Sequence, residues 1–155
     1  MRIMFVCTGN ICRSAMAHAL MEKKLKEIQK EDCKIYSCGI AAYDGDGSTY
    51  NAIDAMKPYG VDLKSHRATS LANASLEEMD VILCMTRSQK ITLKQLYPNL
   101  TEKIYTFKEY VNYKQSPDDI DIMDPWGYNL TTYQNCAEEI DICTQMLLEK
   151  VKQND

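Results

Sequence analysis

Long apolar runs are missing from this chain. No stretch approaches the roughly 18 apolar residues of a membrane-spanning helix, and the opening run Met1-Arg2-Ile3-Met4-Phe5-Val6 is too short for a signal peptide. Positive charge is scarce too, with 18 Lys and Arg against 22 Asp and Glu and a formal net charge of −4. A binder of nucleic-acid backbone needs an electropositive face, so general nucleic-acid affinity is excluded and any anion site must be local. Histidine is down to two residues, and the seven cysteines have no paired C-x2-C spacing. Neither a zinc site nor a disulfide framework is indicated, and a reducing compartment is expected. Repeats, low-complexity tracts and linker-like segments are absent as well.

What is present suits one domain over residues 1–155, cytoplasmic, with no membrane association. Its 45% hydrophobic residues are enough for a sizeable core. Apolar strand candidates alternate with helix patterns. Strands are expected at Ile3–Cys7, Lys34–Cys38, Val81–Met85 and Lys103–Phe107, and helices at Ser14–Ile28, Thr49–Lys57, Ser88–Leu96 and about Thr131 to Lys152. The alternation implies a three-layer α/β/α fold, a four-stranded parallel sheet with helices on both faces. In the last helix Tyr133, Ala137, Ile140, Thr144, Leu147 and Val151 recur at spacings of three and four, so that stripe is core. One long irregular stretch, Asn112 to Leu130, interrupts the pattern.

The chemistry concentrates in Cys7-Thr8-Gly9-Asn10-Ile11-Cys12-Arg13-Ser14, between the first strand and the first helix. At such a turn, backbone N–H groups curl into an anion nest and the positive end of the helix dipole points into the same space. A cysteine there loses its proton more readily, with pKa values falling to roughly 3.5–7.5 in such settings. Cys7 is therefore the expected nucleophile, and Arg13 supplies a planar fork for two phosphoryl oxygens. Ser14 is placed to donate a hydrogen bond to the thiolate.

Val6-Cys7-Thr8-Gly9-Asn10-Ile11-Cys12-Arg13-Ser14 resembles the loop of the low-molecular-weight protein tyrosine phosphatase family, and Asp124-Pro125-Trp126-Gly127 resembles that family's late Asp-Pro-aromatic loop. The resemblance covers nearly the whole chain. It implies phosphomonoester hydrolysis through a phosphocysteine at Cys7, with Asp124 protonating the leaving oxygen and then activating water. Pro125 restricts Asp124 to extended backbone. No metal and no cofactor is implied. The partners implied are a phosphorylated protein substrate and inorganic phosphate as product, with the protein acting as a monomer.

By the same resemblance, Thr8, Gly9, Asn10, Ile11, Cys12 and Ser14 line the phosphate site, while Tyr43 and Trp126 form aromatic walls. Ser37 and His66 become polar supports around Asn10, and His18, which has no match, is read as a helix-surface residue. Cys12 either serves as a resolving thiol for an oxidised Cys7 or is simply a small packed side chain. Tyr128 and Tyr133 lie close enough to the acid loop to be candidates for regulatory phosphorylation.

Two features divide the family by substrate. Met85-Thr86, the run Lys103 to Val111 and the single Trp126 resemble the bacterial protein-arginine phosphatase branch. That branch has threonine where this chain has Ile11. An aliphatic rim packs against a phenol ring and leaves a guanidinium's hydrogens unpaired, at about 1–3 kcal/mol. Phosphotyrosine is thus the expected substrate, with phosphoarginine the alternative. Arsenate reduction on the same loop needs two further relayed cysteines. Cys84 is one candidate, but no cysteine follows within Met85 to Asn135. A non-catalytic phosphate-binding module would need neither Cys7 nor Asp124.

Overall fold

The computed structural model describes residues 1–113 and 116–154. Four strands form one parallel sheet: β1 (Arg2–Cys7), β2 (Lys34–Gly39), β3 (Val81–Cys84) and β4 (Ile104–Thr106), in the order β2-β1-β3-β4. Five α-helices complete it among the described residues: α1 (Arg13–Glu27), α2 (Tyr50–Met56), α3 (Arg87–Leu96), α4 (Phe107–Val111) and α5 (Leu130–Gln153).

Alternation along β1 assigns the layers. Ile3, Phe5 and Cys7 face a core built with Met16 and Leu20 of α1, Met56 of α2, Phe107 of α4 and Ile140 and Leu147 of α5. Met4 and Val6 face the other way, toward Leu93 of α3, Leu76, Met79 and Leu100. Both faces of the sheet are covered, as a parallel sheet requires. All six stripe residues of the last helix are buried, joined by Cys136, Cys143 and Leu148. The three-layer α/β/α architecture is the one expected.

The element ends differ from expectation by a residue or two, each for a local reason. α3 starts at Arg87 because Thr86 and Gln89 form a reciprocal capping box. α5 starts at Leu130 because the Asn129 side chain accepts the Thr132 N–H. One element is new. The strand expected to run to Phe107 stops at Thr106, whose side chain caps a short helix while Glu109 caps it in return. That pair turns the chain into α4 immediately beyond the sheet. β1, central in the sheet, ends at Cys7, so the first strand-to-helix turn opens beyond the carboxyl ends of the strands, where open parallel sheets bind ligands.

Candidate active site

Cys7 is the last residue of β1 and Arg13 the first of α1, so five residues must close the turn between them. They do so around Asn10, which takes left-handed backbone at φ 55° and is fully buried. Its backbone N–H donates to Cys7 Sγ at 3.2 Å, and its side-chain Nδ2 donates to Ser14 Oγ at 2.7 Å. Ser14 Oγ lies 2.9 Å from Cys7 Sγ. Because that oxygen already accepts from Asn10, its own proton is free to point at the sulfur. The Cys7 sulfur thus sits between two donors.

The nest is held from behind. Asn10 Oδ1 accepts the Thr69 N–H at 2.9 Å, and the Asn10 carbonyl oxygen lies 2.7 Å from His66 Nε2. A carbonyl only accepts, so Nε2 carries the proton. Burial pulls the pKa of His66 below the ordinary histidine value, with the Asn10 bond opposing. The neutral, donating tautomer is the one this contact uses. Gly39 lies against the same turn. A Cβ there would stand 2.6 Å from the Thr8 carbonyl oxygen and 2.9 Å from the Asn10 nitrogen, so a side chain would push the nest apart.

Ser37 is placed differently from expectation. Its Oγ lies 2.7 Å from His18 Nδ1, and His18 Nε2 lies 3.2 Å from Glu22 Oε1, one turn along α1. Ser37 is therefore bonded to His18, and His18 is a partly buried link rather than a plain surface residue. Ser37 sits on β2 with its side chain on the α1 side, which brings it to the histidine one turn into that helix.

Arg13 is 3% exposed. Its Nη1 donates to the Ile122 carbonyl at 2.8 Å, and its Nη2 stands 3.6 Å from Asp124 Oδ2. Asp124 is half exposed, and its other oxygen accepts the Trp126 N–H at 3.1 Å, an Asx turn that bends the loop back over the site. Together Cys7, Thr8, Gly9, Ile11, Cys12, Arg13, Asp124 and Trp126 line one cavity of about 270 Å³. Distant parts of the chain are thereby joined at one opening. A groove of about 1140 Å³ beside α1 and β2 is larger, but it runs past Lys23 and Lys34, away from Cys7.

Tyr43 does not line the cavity. It is 77% exposed on the loop after β2. That loop is drawn aside by Asp44, whose side chain accepts the Ser70 N–H and holds Asn73. The sequence showed an aromatic residue in a loop but not the direction in which the loop is tethered.

Other contacts were not foreseen. Cys12 Sγ lies 3.5 Å from Tyr133 Oη and 3.6 Å from Thr49 Oγ1, joining the loop to α5 and to the cap of α2. Burial pushes the Cys12 thiol up, with those two contacts opposing, and Cys12 and Cys7 are both free thiols. Tyr133 is 2% exposed, so its hydroxyl is a structural partner here rather than an accessible one. Gln89 Nε2 donates to Thr8 Oγ1 at 3.2 Å. Cys84 is buried in β3, and burial raises its pKa strongly. Among the described residues no group of three or more His, Cys, Asp or Glu is arranged to hold a metal ion. No described helix is long and apolar enough to cross a membrane.

This geometry can grip an oxyanion, attack it with sulfur and deliver a proton from the opposite wall. The family model for low molecular weight phosphotyrosine protein phosphatase matches residues 2–155. The chain belongs to that family. As a member it is a phosphatase, and its relatives fall on both sides of the substrate divide. It is 32% identical to a protein-arginine-phosphatase of Geobacillus stearothermophilus, over 97% of this chain and 96% of the relative. It is 32% identical to a probable low molecular weight protein-tyrosine-phosphatase, EpsP, of Ralstonia nicotianae, over 89% of this chain and 87% of the relative. A solved low molecular weight protein tyrosine phosphatase from T. tengcongensis superposes on the phosphatase with a TM-score of 0.88 at 38% identity, covering 97% of this chain and 99% of that one.

Proposed function

We propose that this phosphatase hydrolyses phosphotyrosine in proteins, with Cys7 as nucleophile, Arg13 as the phosphoryl clamp and Asp124 as general acid and then general base. The observation that carries the reading is the shared cavity. A sulfur between two donors, a buried guanidinium and a half-exposed carboxylate converge on one opening from residues 7, 13 and 124. In the first step sulfur attacks phosphorus, the P–O bond to the phenol breaks, and Asp124 protonates the departing oxygen. In the second, Asp124 takes a proton from water, which attacks phosphorus and releases Cys7 and inorganic phosphate.

Substrate preference rests on the wall of the cavity. Ile11 and Trp126 give it apolar surfaces above the nest, suited to sandwich a phenyl ring. Neither offers an acceptor for a guanidinium. Phosphoarginine is the second reading, favoured by the likeness to the Geobacillus relative and by the run from Lys103 to Val111. Every residue of this mechanism comes from one chain, so a single domain acting as a monomer suffices. Comparing wild type with Ile11→Thr on phosphotyrosine and phosphoarginine peptides decides the substrate. Wild type should prefer phosphotyrosine, and the substitution should shift the ratio toward phosphoarginine by about tenfold or more. A wild-type preference for phosphoarginine would remove the argument from Ile11.

A further inference from the structure

Apart from Arg13, one other cation among the described residues is buried. Lys108, on α4, is 2% exposed beside the fully buried Phe107. Its Nζ lies 2.8 Å from Asp119 Oδ1 and 3.0 Å from Glu139 Oε2, and it also stands 5.7 Å from the centre of the Tyr113 ring. Burial by itself would draw its pKa down. The bonds from Asp119 and Glu139 outweigh burial and keep the group above the ordinary lysine value, hence charged. Burying an ammonium is costly, and an apolar residue of similar length would fill the space without that cost. The charge calls for a purpose beyond filling.

Its partners point to one. Asp119 begins a run that ends at the proposed acid, and successive contacts pin that run. Asp121 Oδ1 accepts the Arg87 N–H at 2.7 Å. The Ile122 N–H donates to the Met85 carbonyl at 2.8 Å, and the Ile122 carbonyl receives Arg13. The thiol of Cys136 donates to the Met123 carbonyl at 3.7 Å. Beyond Met123 the chain is exposed at Asp124 and Trp126. Lys108 holds the first of these contacts and, through Glu139, ties it to α5, the helix that carries Cys136 and Tyr133.

We propose that Lys108 is a positioning residue for the acid loop: its buried ammonium joins Asp119 to Glu139 and so fixes the base from which Asp124 is aimed at the leaving oxygen. It touches no substrate. The inference rests on Asp124 being the general acid, and its loss should therefore act through that role. Misplacement of a catalytic group by about 1 Å costs on the order of 10²-fold in rate.

The test compares kcat/KM, which reports the steps up to release of the phenol, for wild type, Lys108→Met, Asp119→Ala and Asp124→Asn on a series of aryl phosphates whose phenols differ in acidity. Lys108→Met should lose about 10²-fold on the poorest leaving groups and less than about threefold on the best, with inhibition by inorganic phosphate unchanged. Asp119→Ala, at a partly exposed position, should repeat the pattern, and the double variant should be no worse than the poorer single one. Equal loss across the series, or none, in folded Lys108→Met and Asp119→Ala would overturn the proposal. If Lys108→Met fails to fold, Asp119→Ala alone decides. A flat series for Asp124→Asn would instead remove the acid reading, whatever Lys108 does.

Discussion

The two loops that meet at the cavity are built in opposite ways. The nest of residues 7–14 is closed on itself, with Cys7, Asn10 and Ser14 buried and bonded to one another, and with Thr69 and His66 locking Asn10 from behind. The acid loop is buried at its base and open to solvent beyond it. Ile122 is fully buried, yet Asp124 is half exposed and Trp126 and Tyr128 are 64% and 63% exposed. The difference follows the chemistry each loop serves. Charge on phosphorus develops in one place, so donors gain most from being fixed before the substrate arrives. A proton donor must instead meet leaving groups on different proteins and later admit water, which favours a tethered but open carboxylate.

That contrast can be broken most sharply at Cys7. Cys7→Ser should lose at least about 10⁴-fold in kcat on any aryl phosphate while still binding phosphate, because only the nucleophile has gone. Calorimetric titration with phosphate beside turnover assays checks both halves. The open loop gives a graded response. Asp124→Asn should cost about 10²–10⁴-fold on poor leaving groups and far less on good ones. Steady-state kinetics across phenols of differing acidity reads that slope, and equal loss across them would show that Asp124 is not the acid.

The smallest effect probes the lock behind the nest. Burial lowers the pKa of His66 below 6.5, so the native state takes up this proton at lower pH than the unfolded chain does. The contribution is therefore fully present above about pH 6.5 and is lost as pH falls below it toward the folded value. Urea midpoints measured from pH 8 to pH 5 should fall over the lower part of that range, and His66→Gln should flatten the fall. An unchanged slope would show that burial of His66 does not set this pH dependence.

Much of this was legible before any coordinates. The stripe of α5, the alternation of strands and helices, and the pairing of Cys7 and Arg13 across a turn each follow from a period or a spacing of a few residues. α4 was legible in principle as well, through Thr106-Phe107-Lys108-Glu109, a capping box hidden behind an apolar run that reads as strand. The direction of Tyr43 and the bond between Ser37 and His18 were not legible, since the first depends on how a loop is tethered and the second joins residues 19 apart. Gly39 belongs with them. Nothing next to it in the chain calls for glycine, because the atoms it must avoid belong to Thr8 and Asn10.

Neighbouring residues carry the kind of chemistry: a thiol and a guanidinium at a strand-to-helix turn, and a carboxylate held before proline. Local spacing dictates these, because a nest and a helix N-terminus are made from consecutive residues. Where the proposed acid stands, and what holds it there, depends on long-range packing. Residues 7 and 124 meet because β1, α1 and the run through Ile122 pack together at the carboxyl end of the sheet, and the Arg13 bond to Ile122 closes the distance. Long-range packing of that kind leaves no mark in neighbouring residues. Lys108, an ordinary surface residue by type, became a buried link for the same reason.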